Sequence, residues 1–151
     1  MNGERGFSPS SAAWREVLEL DAQFMHGPWN EQQWQQLDSK NDVIFLLTAN
    51  ATVIGFALYR LAPLDGLAHL LKVVVHPDHR QKRRGFEFCQ QTFSWLRSEQ
   101  IKRIFLEVAS NNLAALGLYG KLGFTKLHLV KGFYSNGLDA WTMEMSLDSS
   151  I

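Results

Sequence analysis

Two periods of apolar and polar positions divide this chain into short blocks. Val43-Ile44-Phe45-Leu46-Leu47-Thr48 and Thr52 to Leu61 are rich in β-branched and aromatic residues and flank the turn Ala49-Asn50-Ala51, so they predict two strands paired as a hairpin. Further strands are predicted over His69 to Val75, after the loop Pro63 to Gly66, and over Ile101 to Val108. A closing pair is predicted over Phe124 to Val130 and Asp139 to Leu147, joined by a loop from Lys131 to Gly137. Helical spacing appears at Trp14, Val17, Leu18 and Phe24, with Ser10 or Ser11 available as a cap. His26-Gly27-Pro28-Trp29 breaks the chain, and Asn30 with Gln33 has the form of a capping box opening a second helix through Trp34 and Leu37. A long helix is predicted from Phe86 to about Gln100. A short one starts at Asn111 or Asn112, carries the stripe Leu113, Leu116, Tyr119 and Leu122, and stops at Gly123 as a C′ residue. A hairpin, a strand–helix–strand–helix middle and a closing hairpin imply an α/β (α+β) fold with a mixed sheet and helices on its faces.

The 151 residues suit one domain, expected over residues 10 to 151 behind a loose tail at residues 1 to 9. The balance of 15 basic against 15 acidic residues argues against a general nucleic-acid or membrane-surface binder, so any basic cluster is a local feature. Cys89 is the only cysteine, which rules out an internal disulfide and a multi-cysteine metal site and suits a reducing cytosol. There is no apolar run of 18 or more residues, and MNGERGFSPSSAAW lacks the apolar core of a signal peptide, so a cytoplasmic location is expected.

Composition leaves one place where chemistry concentrates. The apolar run Leu71 to Val75 stops at Pro77, meets a basic turn containing Gly85, and feeds the long helix. Free N–H groups at a helix start attract anions, and Arg80, Lys82, Arg83 and Arg84 add positive charge, so a phosphate or pyrophosphate is the simplest ligand. A nucleic-acid patch is the alternative reading of such a basic run. His76 and His79 flank Pro77-Asp78 at a spacing that suits a metal, but no third ligand lies nearby and solvated loop histidines are the simpler reading. Cys89 has no partner that would activate it.

The segments VHPDHRQKRRG, LEVASNNLAALGLYGKLGF and GFYSNGLDAWTMEM together resemble the GNAT superfamily of acetyl-CoA-dependent N-acetyltransferases, and the last two look most like its ribosomal-protein-alanine N-acetyltransferase (RimI) branch. The resemblance covers about Pro28 to Leu147. It implies a twisted, mostly antiparallel sheet of six to seven strands flanked by about four helices. It also implies acetyl-CoA as cosubstrate, no metal, and an amine acceptor, most readily the α-amino group of a protein N-terminus. No membrane or nucleic-acid partner is expected, and the assembly is a monomer or homodimer.

Carried over by position, the resemblance implies that Val73, Val74 and Val75 line the pantetheine arm and that Arg80, Gln81, Lys82, Arg83, Arg84, Gly85 and Phe86 surround the pyrophosphate. Asn112 and Tyr119 would touch the cofactor, with Glu107 as general base and Tyr119 as general acid. Trp29, Phe133 and Tyr134 would wall the acceptor groove. One position departs from the family pattern: Arg83 stands where the first loop glycine belongs, and its side chain either crowds the pyrophosphate, points outward, or folds over to pair with a phosphate.

The residues keep plainer readings as well. Glu107 would serve as a solvent-facing strand residue, Tyr119 as core, and Asn112 as a helix cap. A small-molecule amine such as a polyamine, amino sugar or amino acid is the alternative acceptor, and a non-catalytic CoA-binding or nucleic-acid-binding domain is the reading from another class. The chemistry favours an α-amine, whose pKa of about 7.7–8.0 makes it far easier to deprotonate than a lysine near 10.4. Phe105, Leu106 and Val108 around Glu107 suggest a partly dry setting, which raises a carboxylate's pKa.

Overall fold

The computed structural model describes residues 2–4, 12–80 and 83–147. Asn50 and Ala51 both take left-handed conformations, φ 52° and 65°, and turn β2 (Asp42–Ala49) back onto β3 (Thr52–Ala62) as the predicted antiparallel hairpin. A short 3₁₀ turn at Pro63–Asp65, closed by left-handed Gly66, returns the chain as β4 (Leu67–Val75), antiparallel to β3. The helix α3 (Arg84–Ser98) carries the chain over to β5 (Arg103–Ala109), which lies parallel to β4. After α4 (Leu113–Leu122), ended by Gly123 at φ 110°, come β6 (Thr125–Val130) and β7 (Ala140–Ser146). The closing hairpin inserts β7 against β5 and leaves β6 at the rim.

At the other rim Asn2–Glu4, within the expected tail, pairs antiparallel with β2 as β1. Ser10 and Ser11, the expected caps of α1 (Ala12–Phe24), lie outside the described residues. Among those residues seven strands form one sheet, in the order β1-β2-β3-β4-β5-β7-β6, with β4–β5 as its parallel pair. No helix among them is long and apolar enough to cross a membrane.

Both faces of the sheet centre are covered, which is why β2 and β3 read as continuous apolar runs. On one face α1 and α2 (Glu31–Gln35) bring Trp14, Val17, Leu20 and Trp34 against Ile44, Phe56 and Leu58. On the other, Phe88, Phe93 and Leu96 of α3 with Leu122 of α4 meet Phe45, Tyr59, Ile104 and Leu106. The capping box predicted at Asn30 and Gln33 is present, with Asn30 Oδ1 accepting from Gln33 N at 2.8 Å and Gln33 Oε1 from Asn30 N at 2.9 Å.

One irregularity positions everything that follows. Leu58 stands opposite Lys72 while Tyr59 stands opposite Leu70, so Leu71 is an extra residue that bulges β4 and bends it. Pairing with β5 ends at His69 opposite Phe105, although β4 runs on to Val75 and β5 to Ala109. The two strands part like the arms of a V. His76 N donates to Ile54 O at 2.7 Å, so by strand alternation the backbone groups of Val75 and Val73 face away from β3 and into the gap.

Candidate active site

A cavity of roughly 1230 Å³ occupies the parting of β4 from β5 and extends to the first turns of α3 and α4. Its walls bring together residues far apart in the chain: Val73, Val74 and Val75 from β4, Arg80, Arg83, Gly85 and Phe86 from the basic turn, and Glu107, Asn112 and Tyr119 from β5 and α4. Trp29 enters from the α1–α2 loop, and Phe133 and Tyr134 from the β6–β7 loop. Val74 lines the cavity, yet its carbonyl points to Gly55 on β3, leaving Val73 and Val75 as the strand residues with backbone groups toward the gap. Arg84 stands apart. It is exposed, and its Nη1 lies 2.9 Å from His79 Nδ1 outside the cavity lining, because the first turn of α3 rotates its side chain outward. Gln81 and Lys82 lie outside the described residues.

Arg83 precedes α3 with φ 61° and ψ 24°, the left-handed conformation a glycine adopts without strain. The chain therefore keeps a glycine-like backbone there at a local cost of about 1–2 kcal/mol. The exposed guanidinium lies 4.5 Å from the Phe86 ring centroid, beside the cavity. No side chain caps α3, so the N–H groups of its first turn remain available to an anion. Arg80 Nε donates to Val75 O at 2.8 Å and ties the turn to the end of β4. Asn112 caps α4, its Oδ1 accepting from Ala115 N at 3.2 Å, while also lining the cavity.

Glu107 is partly buried, though not by the residues beside it in sequence. Strand alternation sends Leu106 and Val108 into the core under α3 and α4, so they do not dry the carboxylate, which is 22% exposed. Its Oε1 lies 2.8 Å from His69 Nε2 on β4, and the His69 ring stacks on Phe105 with centroids 4.3 Å apart. Tyr119 is buried, and burial pushes its phenol well up, with Cys89 and Tyr134 adding to the shift, so it holds its proton at neutral pH. Its hydroxyl forms no hydrogen bond with any described residue. Burial also raises Tyr134, and the nearby Glu107 charge adds to it.

Sequence reasoning missed a second cluster. Lys72 Nζ lies 2.7 Å from Asp21 Oδ1 and 2.9 Å from Gly27 O, with both side chains of the pair buried. Asp21 Oδ2 accepts from Trp29 N at 2.8 Å and Trp34 Nε1 at 3.2 Å. Burial lowers the Lys72 pKa, and its bond to Asp21 opposes this. The visible signal was a lone lysine in the apolar strand run Leu70 to Val75, a position that rarely stays buried without a partner. Among the described residues lining the cavity Glu107 is the one carboxylate, against Lys72, Arg80, Arg83 and Lys121. His76 Nδ1 accepts from Asp78 N and closes the 3₁₀ turn Pro77–His79. Cys89 is buried, and burial pushes its thiol up to about 12.

Known proteins resemble this chain in sequence and in fold. An uncharacterized N-acetyltransferase, YobR, of Bacillus subtilis is 37% identical over 71 residues, or 47% of this chain, although the chain spans only 29% of that protein's length. The ribosomal protein bS18-alanine N-acetyltransferase of Escherichia coli is 28% identical over 107 residues, covering 71% of each chain. The crystal structure of the ribosomal-protein-S18-alanine N-acetyltransferase from Escherichia coli superposes with a TM-score of 0.82 at 21% identity, over 97% of this chain and 93% of that one. The sequence pattern of the acetyltransferase (GNAT) family matches residues 12–124, and this chain belongs to that family of acyltransferases.

Proposed function

We propose that this protein acetylates the α-amino group of a protein N-terminus, using acetyl-CoA, by direct attack within a ternary complex in the cytoplasm. The supporting observation is the parting of β4 from β5, which sets an uncapped helix start at one end of a cavity and Glu107 in its wall. The residues present suit an extended pantetheine and a pyrophosphate. Val73 and Val75 turn backbone groups into the gap, the start of α3 offers N–H groups, and Arg80 and Arg83 are cationic neighbours. Acetyl-CoA, when bound, supplies the acetyl group as an activated thioester.

The chain's own residues do the rest. The N–H of Val75 is placed to polarise a carbonyl in the gap. Glu107 takes a proton from the acceptor ammonium, directly or through one water, and its Oε2 has no partner among the described residues. Tyr119, kept protonated by burial, gives its proton to the departing thiolate. Trp29 on one side and Phe133 and Tyr134 on the other hold the acceptor's first residues. With one carboxylate against four cationic residues in its described lining, the cavity suits a single amine better than a polyamine.

The test is a panel of N-terminal peptides run beside polyamines, amino sugars and free amino acids, read by thiol release, with thermal melting in acetyl-CoA as the binding arm. Acetyl-CoA at a hundred times its Kd should stabilise the protein by about 2.7 kcal/mol. Peptide turnover above every small amine supports the reading. Preferred turnover of a small amine, or no melting shift at millimolar acetyl-CoA, overturns it.

A further inference from the structure

We propose that His69 is the positioning residue of Glu107, holding one carboxylate oxygen so that the other meets the acceptor amine. The inference rests on the proposed role of Glu107. It begins from a division of labour in the geometry: Glu107 lines the cavity, whereas His69 does not and sits behind it near the apex of the V. His69 Nε2 engages Oε1 at 2.8 Å, and Oε2 has no partner among the described residues. His69 is itself fixed, stacked at 17° on Phe105 and paired in register with that residue where β4 and β5 last touch. The imidazole therefore fixes one oxygen of the carboxylate and leaves the other for the acceptor.

Among the described residues no other cation competes for this carboxylate. On β3, Arg60, opposite His69 in register, is bound by Asp42 at 2.8 and 3.0 Å. On β5 and β7, Arg103 is bound by Glu144. Lys72, further along β4, is bound by Asp21. Tyr134, from the β6–β7 loop, faces Glu107 as a phenol that stays neutral below alkaline pH. The imidazole is thus the described side chain that holds Glu107 from behind.

The experiment compares kcat, KM and melting temperature for the wild type, His69→Gln and His69→Ala. Glutamine retains a donor in place of the imidazole. His69→Ala should lower kcat by about 10²-fold, as the carboxylate loses its placement, and His69→Gln should recover most of that loss. The KM for acetyl-CoA should change little in either variant. Unchanged kcat in His69→Ala, or equal losses in the two variants, overturns the proposal, because a merely structural histidine would lower melting temperature without a donor restoring kcat. Carbon-13 NMR of the Glu107 carboxyl, without substrate, should show its resonance moved in His69→Ala and nearer the wild type in His69→Gln; an unmoved resonance in His69→Ala also overturns the proposal. That reading does not depend on turnover, so it separates failure of this inference from failure of the proposed function.

Discussion

The two walls of the cavity mouth carry aromatic side chains alike but are held by opposite means. Trp29 is clamped from below: Asp21 accepts from its backbone N–H, Lys72 Nζ lies 4.7 Å from its ring centroid, and Trp34 packs on it edge-on at 4.9 Å. The facing loop holds itself with local bonds, Gly132 N to Asp139 Oδ1 at 2.9 Å and Tyr134 N to Leu138 O at 3.1 Å, and Phe133 is 46% exposed. One wall is part of the folded core. The other is an addition to it, so changes in acceptor preference should map to the β6–β7 loop and changes in stability to the α1–α2 loop.

The sharpest break of that contrast is Asp21→Ala. It leaves a buried lysine unpaired and should destabilise the protein by about 3–5 kcal/mol in urea denaturation. A loss below about 1 kcal/mol would mean that the clamped wall is no part of the core. Trp29→Ala comes next, at about 1–3 kcal/mol with acceptor KM rising, read by denaturation and peptide kinetics together. Phe133→Ala should change stability by no more than about 0.5 kcal/mol while reordering the peptide panel, and a large loss of stability would erase the contrast.

Alkaline pH sharpens the distinction between sealed and open regions. Tyr59, Tyr119 and Cys89, all buried in the core between the sheet and α3 with α4, have folded pKa values raised by burial above the ordinary 10.0 for the phenols and 9.0 for the thiol. In this alkaline window the folded state binds more protons than the unfolded one. Their contribution to stability is complete below about pH 9 and is lost as pH rises through the folded values. Melting temperature should therefore fall above about pH 9, and Cys89→Ala should soften the first part of that fall. A flat profile to pH 11 contradicts it.

What the sequence disclosed follows a physical line. Local signals were sufficient for the β2–β3 turn, the Asn30 capping box, the Asn112 cap and the Gly123 stop, because each depends on residues within four positions of one another. The strand–basic-turn–helix order located one wall of the cavity by the same logic. Contacts between distant residues were hidden: His69 lies 38 positions from Glu107 and Asp21 lies 51 from Lys72, and no periodicity reports such a pairing. The surroundings of Glu107 were not legible from its neighbours, because adjacent residues on a strand point to opposite faces and Leu106 and Val108 say nothing about the carboxylate. Arg83 hid a left-handed backbone that only glycine advertises.

The claim that one gap joins an anion-holding helix start to a proton-accepting carboxylate is tested most directly by Glu107→Gln, measured at once for acetyl-CoA affinity by calorimetry and for turnover. The account predicts a Kd within about threefold of the wild type and a kcat lowered by about 10²–10⁴. Undiminished turnover, or affinity lost together with activity, would contradict it.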